Sequence, residues 1–217
     1  MSSIVVAGDT SGSITIAAPA VAGSGTLTLP TGTDTLIGKA TTDTLTNKSI
    51  AATQLTGTIA AAALPAGSVL QVVNSISSAV DTTTVIIPRD NTIPQITEGG
   101  QFLSLAITPK SATSKLLIQG NLWWASSTGA STWTQVALFK VGTADALAAN
   151  ASFMLTSGGG GSSPINYFMT SGTTSSITFT VRAGMETAGT LTVNGSGGLT
   201  LFGGTYYSSI TITEIAA

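Results

Sequence analysis

From Ser68 to Ala217, apolar residues return at every second position in short runs, and turns rich in Gly, Ser and Asn separate the runs. Successive side chains of a strand point to opposite sheet faces, so a two-residue period is the signature of a half-buried strand. The clearest run is 115–124. Leu116, Ile118, Gly120, Leu122 and Trp124 fall on one face, and Leu117, Gln119, Asn121 and Trp123 on the other. The first set predicts a core face and the second a mostly polar outer face. Two adjacent tryptophans therefore cannot share one burial. Trp123 must find a subunit interface, a neighbouring loop or a ligand.

The same period predicts strands at 69–76, 83–87, 102–108, 133–141, 152–155, 165–169, 176–182, 190–193, 199–202 and 208–215. Leu103, Leu105 and Ile107 alternate with Ser104, Ala106 and Thr108. Ile177, Phe179 and Val181 alternate with Thr178, Thr180 and Arg182. Turn residues punctuate them, notably the glycine run 158–161 with Ser162, Ser163 and Pro164, and the stretch 194–198. That glycine run reads as a flexible loop. Many short strands with Gly-rich turns make residues 68–217 an antiparallel β-sandwich or jelly-roll-like domain.

Residues 1–67 read differently. Gly12-Ser13-Ile14-Thr15-Ile16-Ala17-Ala18-Pro19 is echoed by Gly25-Thr26-Leu27-Thr28-Leu29-Pro30, and 34–39 by 43–48. Each is a short alternating strand with two apolar side chains. Strands this short cannot close a core alone. Several chains sharing these stripes about a common axis can, which predicts an intertwined stalk, with a disordered tail as the alternative. The Ala-rich run 59–64 is a short helix or an extended connector, closed by Pro65. The boundary between the two domains falls at Pro65-Ala66-Gly67.

Composition narrows the function. Charged residues are 7% of the 217, against about 25% in an average protein, and the net charge is −2. Arg89 and Arg182 are the two arginines. So few cations argue against nucleic-acid binding, which needs Lys and Arg to neutralise phosphates. Mean hydropathy is +0.43, yet no run approaches the ~18 consecutive apolar residues of a spanning helix. Membrane insertion is not expected, and the start of the chain has no signal-peptide pattern. With no His and no Cys, the usual triads, thiol nucleophiles and His/Cys zinc sites are excluded. The acidic residues after Ser68 are scattered: Asp81, Asp90, Glu98, Asp145, Glu186 and Glu214. Asp90 and Asn91 with Glu98 offer oxygen ligands for a hard cation, but a solvated loop is the simpler reading. The chain is expected to be no enzyme and to carry no metal or cofactor.

The aromatics are the remaining candidates for a site. Trp123 and Trp124 precede the stretch 125–132 and Trp133 follows it, so a hairpin would bring the two ends together as a cross-strand aromatic pair. Tyr206 and Tyr207 stand before the last strand. Tyr206 shares a face with Ile210 and Ile212, and Tyr207 with Ser209, Thr211 and Thr213. Trp123, Trp133 and Tyr207 are the candidate binding residues. They would either stack on sugar rings or pack in a subunit interface.

Residues 8–30, from Gly8-Asp9-Thr10-Ser11-Gly12 through Thr26-Leu27-Thr28-Leu29-Pro30, resemble the N-terminal part of many tailed-phage fibre-like structural proteins. So does Thr44-Leu45-Thr46-Asn47-Lys48-Ser49-Ile50. Gly67-Ser68-Val69-Leu70-Gln71-Val72-Val73, Ile107-Thr108-Pro109-Lys110-Ser111-Ala112-Thr113-Ser114-Lys115-Leu116-Leu117-Ile118 and the ending Ser208-Ser209-Ile210-Thr211-Ile212-Thr213-Glu214-Ile215-Ala216 are similar to phage tail-fibre C-terminal domains. The resemblance covers most of the chain. It implies a homotrimeric virion fibre, assembled in the host cytoplasm. The N-terminal segment would dock on tail, baseplate or capsid proteins, and the β-sandwich head would adsorb to a host-surface polysaccharide. The chain is short for a tail fibre, which keeps a capsid decoration or head-fibre protein with a mainly structural role as the alternative.

Overall fold

A computed structural model describes residues 3–7, 10–17, 24, 31, 49–51, 56–57, 59–127, 131–156 and 158–217. The chain divides into two compact units, Met1–Thr56 and Gly57–Ala217. In the first, β1 (Ser3–Ala7) and β2 (Ser13–Ala17) form an antiparallel hairpin with Ser3 opposite Ala17 and Ala7 opposite Ser13. Ile4, Val5, Val6 and Ile16 are exposed. The strands expected at 25–30, 34–39 and 43–48 lie outside the described residues.

The second unit is all-β and antiparallel. Its strands are β3 (Val69–Ser77), β4 (Asp81–Thr83), β5 (Gly100–Ile107), β6 (Lys115–Ser126), β7 (Thr132–Lys140), β8 (Ala148–Met154), β9 (Gly160–Thr170), β10 (Ile177–Met185), β11 (Leu191–Val193), β12 (Gly195–Ser196), β13 (Leu199–Thr200) and β14 (Ser208–Ile215). The long strands pair in nested fashion: β3 with β14, β5 with β10, β6 with β9, and β7 with β8. A long hairpin wrapped around a core gives this nesting, and it is the wiring of a jelly roll. One sheet has the order β5-β10-β7-β8. The other has β3-β14-β6-β11-β4, with β9 on the far side of β6. Among the described residues no helix is long and apolar enough to cross a membrane.

The core is what the alternation marks. Leu116, Ile118, Leu122 and Trp124 of β6 are buried, and they meet Ile210 and Ile212 of β14 in one cluster with Val136, Leu138, Phe179 and Val181 of the opposite sheet. Leu117, Gln119, Asn121 and Trp123 point outward, half-buried or exposed. Parity also carries Glu214 inward, because it follows Ile210 and Ile212 at two-residue steps. Its carboxylate is fully buried. It accepts hydrogen bonds from the Lys110 and Ser111 amides, both 2.8–3.2 Å long, from the Ser114 hydroxyl at 2.6 Å and from the Gln71 amide. Burial by itself would raise its pKa. The bonds from Ser114, Gln71, Lys110 and Ser111 outweigh burial and hold the carboxyl below its ordinary value.

Four local expectations change. The run 158–161 is not a flexible loop throughout. Gly160 and Gly161 open β9 opposite Ala125 and Trp124. They are glycines because the backbones come close: a Cβ at Gly160 would lie 2.7 Å from the Trp124 carbonyl oxygen, and one at Gly161 3.2 Å from the Trp124 ring. The strand expected at 83–87 ends at Thr83. Residues 84–99 instead run as a strap over the outside of the β5-β10-β7-β8 sheet. The Ile87 amide donates to Met185 O, the Ile96 amide to Ala144 O, and Arg182 reaches the Glu98 and Gly99 carbonyls. Ile87 is fully buried there with Ala137 and Phe139, the outward side chains of β7. The strand expected at 199–202 stops at Thr200, and a single 3-10 turn follows over Phe202–Gly204. The Ala-rich run makes one 3-10 turn, Ala61–Ala63, between extended residues.

The fourth change concerns connectivity. β6 and β7 do not form a hairpin. β6 pairs with β14, β9 and β11, whereas β7 pairs with β10 and β8 in the other sheet. β6 and β7 thus lie in different sheets, so Trp123 and Trp133 are not a cross-strand pair.

Candidate functional site

Trp123 leaves β6 on the outer face, where Asn121 precedes it and Ser209 of β14 stands opposite Asn121. Its backbone is fixed from both sides. The Trp123 amide donates to the Ser208 hydroxyl at 2.9 Å, and the Asn194 amide donates to the Trp123 carbonyl at 3.0 Å. Ser208 in turn donates to the Asn194 side chain at 2.7 Å, and the Asn194 amide group donates to Ala79 O at 3.0 Å. All of this holds the indole in place without touching it.

The loop between β13 and β14 then folds back over the indole. Phe202, Gly203 and Gly204 have φ of 48°, 63° and 88°. Three successive left-handed residues turn the chain sharply, and two of them are glycine because L side chains disfavour that region. The Thr205 amide and hydroxyl both donate to Phe202 O. The turn delivers Tyr206 onto Trp123, with ring centroids 4.9 Å apart and planes tilted by 41°. The Phe202 ring centroid stands 5.9 Å from that of Tyr206.

A hollow of about 360 Å³ opens here, lined by Asn121, Trp123, Thr205, Tyr206, Tyr207 and Ser209. Its size is within the range of small-ligand sites. The wall is indole and phenol, and the rim is hydroxyl and carboxamide. No charged side chain lines it. Burial pushes the Tyr206 phenol up, so it stays a neutral donor and acceptor. The arrangement can stack on the apolar face of a ring and hydrogen-bond to several hydroxyls at once. Among the described residues no carboxylate or amine lines it beside the Thr205, Ser209 and tyrosine hydroxyls.

Of the three expected site residues, two meet here: Trp123 and Tyr207. Trp133 is elsewhere. It packs on Phe153 of β8 at 5.0 Å, and the Arg89 guanidinium lies 4.7 Å over its ring. Arg89 donates to Glu186 at 3.0 Å, and Glu186 accepts the Trp133 amide at 3.1 Å. The Trp133 indole is thus engaged by both Arg89 and Phe153. Residues missed from the sequence are Asn121, Ser209, Thr205, Tyr206 and Phe202. Asn121 and Ser209 could have been found by parity with Trp123. Tyr206 could not, since it lies outside β14, where strand parity does not hold. The oxygen groups of the Asp90 loop are used locally: Asp90 accepts the Thr92 amide at 2.8 Å and hydroxyl at 2.6 Å, and Glu98 accepts the Gln95 amide at 3.0 Å. The Thr92 hydroxyl, then its amide, hold the Asp90 carboxyl below its ordinary value.

No protein-family model and no curated protein matches the sequence. Among solved structures, the chain is similar to a protein in the structure of infectious bursal disease virus, Gx strain, at 16% identity and a TM-score of 0.31, over 69% of this chain and 39% of that one. It is similar to the VP2 subviral particle of the same virus at 15% identity and a TM-score of 0.33, over 68% and 37%. A T13 particle of that virus gives 17% identity and a TM-score of 0.27, over 64% and 36%. The chain thus spans less than two fifths of the length of these solved chains. The jelly-roll wiring rests on the strand pairings above.

Proposed function

We propose that this chain is a homotrimeric fibre protein of a phage virion. Its N-terminal segment docks on tail or baseplate proteins, and its jelly-roll head adsorbs to a neutral glycan of the host surface. The observation that carries the reading is the Trp123–Tyr206–Tyr207 hollow, where aromatic faces and uncharged hydrogen-bonding groups converge with no catalytic group among them. The sequence resemblance along the chain supplies the virion context. The mechanism is multivalent adhesion. Each head holds one weak site, and three heads per fibre add avidity without new contacts.

The test is binding of the purified full chain to host cells and to arrays of host polysaccharide. The parent chain should bind and should block phage adsorption. Trp123→Ala should weaken binding by about tenfold or more, the equivalent of about 1.4 kcal/mol, with the fold intact by circular dichroism. Because no charge lines the hollow, raising salt from 50 to 500 mM should leave the affinity within about twofold, since screening acts on charges. A parent chain that binds no host surface, yet localises to the capsid of intact particles, rejects the adhesion reading in favour of a decoration or head-fibre role.

A further inference from the structure

The outer faces of the two sheets are treated unequally. The β5-β10-β7-β8 sheet is covered by the chain's own strap, which buries the outward side chains Ala137 and Phe139. Among the described residues nothing of the second unit covers the outer face of β3-β14-β6-β9. That face is laid out in cross-strand rows. One row is Val72, Thr213, Leu117 and Phe168, each opposite the next. The next is Asn74, Thr211, Gln119 and Asn166. Val72 and Phe168 are each 56% exposed and Ile76 is 62% exposed. The polar row satisfies itself laterally: Asn74 donates to the Thr211 hydroxyl at 2.8 Å and Gln119 to the Asn166 carboxamide oxygen at 3.4 Å.

We infer that this face is the surface through which copies of the chain pack on one another, which rests on the trimeric reading above and gives it a location. Two physical arguments select a second copy as the occupant. The first is charge. Lys115, at the edge, is the one charged side chain on the outward positions of β3, β14, β6 and β9, and it is engaged with the Thr170 hydroxyl at 2.7 Å. Such a face meets its own copies without like-charge repulsion, and it offers no charge for an acidic or basic partner to recognise. The second is area. With about 4.8 Å between strands and 3.3 Å per residue, four strands over residues 115–119, short of the hollow, cover roughly 320 Å² in projection. A standard interface takes about 800 Å² of accessible surface per partner, and side-chain relief raises the accessible area well above the projection. Around a three-fold axis the same face meets two neighbours.

The inference also divides the outer face of β6. The Leu117 and Phe168 end packs against other copies. The Trp123 end, with Asn121, opens into the hollow. Adhesion and assembly thus use two ends of one strand.

The sequence has no cysteine, so a single introduced thiol reports one position. Full-length Val72→Cys and Phe168→Cys chains are compared with Phe153→Cys and Leu155→Cys, which are 44% and 72% exposed, Phe153 on β8 of the other sheet and Leu155 just beyond its end. Each is labelled with a bulky maleimide under native conditions, and its mass is measured by native mass spectrometry. The inference expects a trimer in which the Val72 and Phe168 thiols react roughly tenfold or more slowly than the two controls, because interface cores exclude solvent. Equal labelling in a trimer overturns the face and leaves the trimer. A monomer overturns both, and protection that persists in a monomer assigns the cover to the chain's own N-terminal segment.

Discussion

The two outer sheet faces of the barrel begin from similar sequence. Each carries apolar side chains at outward positions: Ala137 and Phe139 on β7, Leu117 and Phe168 on β6 and β9. On the first sheet the chain supplies its own cover. Residues 84–99 lie so close to β10 that a Cβ at Gly184 would sit 2.6 Å from Val85 O and 2.7 Å from Ile87 N. On the second sheet Phe168 remains more than half exposed. The aromatic residues at the two faces differ in the same way. Trp133, on the covered sheet, is clamped by Arg89, Glu186 and Phe153. Trp123, on the bare sheet, borders an open hollow. One sheet of the second unit is sealed by the chain itself, and the other stays bare among the described residues.

This contrast breaks most visibly under the strap. Phe139→Ala should destabilise the barrel by about 3–5 kcal/mol, the usual cost of emptying a buried aromatic site. At about 2–4 °C per kcal/mol for a domain of this size, the loss is plain in a thermal melt. Phe168→Ala removes the same ring from the bare face and should change the melt of the separated chain by less than about 0.5 kcal/mol. Equal effects at the two positions would erase the distinction.

Glu214 is next in size. Glu214→Gln keeps the shape but withdraws the charge that accepts the Lys110, Ser111 and Ser114 donors, at a cost of about 1.5–3 kcal/mol. Its folded pKa is depressed, so its contribution is fully present above the ordinary carboxylate value of about 4.3. It is lost as pH falls through the lower folded value. The parent should therefore lose stability below about pH 4.3, and the difference between parent and Glu214→Gln should shrink there. A gap that is constant from pH 7 to pH 3 contradicts the assignment.

The smallest effects separate the two tryptophans. Trp123→Ala should weaken glycan binding by about tenfold, or about 1.4 kcal/mol, with little change in melting. Trp133→Ala should do the reverse, lowering stability through the lost Phe153 and Arg89 contacts, about 1–2 kcal/mol for such ring and cation contacts, while binding is kept. Loss of binding in Trp133→Ala would return it to the site.

Alternation made much of the fold legible. The inward sides of β5, β6, β10 and β14 follow directly from residue parity, and so does the outward position of Trp123. The burial of Glu214 was readable from the same parity, although its charge argues against it until the donors around it are seen. The wiring was not legible, because the residues between Trp124 and Trp133 have the length of a hairpin and of a sheet-to-sheet crossing alike. The opening of β9 was hidden because glycine marks loops in general, whereas Gly160 and Gly161 answer to the bulk of Trp124 on the partner strand. The strap was hidden because Val85, Ile86 and Ile87 have strand composition and bury one side chain against a sheet they do not extend. At the site, Trp123 and Tyr207 were found by face, but Tyr206 was placed with Ile210. Tyr206 lies outside β14, which opens at Ser208, so strand parity does not govern it.

The most direct measurement compares two phenylalanines in the unaltered protein. Phe153, on the strapped sheet, is 44% exposed and Phe168, on the bare sheet, is 56% exposed in the single chain. Hydroxyl-radical footprinting of the native assembly, read by mass spectrometry, measures both rings in one sample. If copies of the chain pack on the bare face, Phe168 is oxidised several times more slowly than Phe153, and the order reverses when the assembly is diluted to single chains. Oxidation of Phe168 at least as fast as Phe153 in the intact assembly contradicts the account.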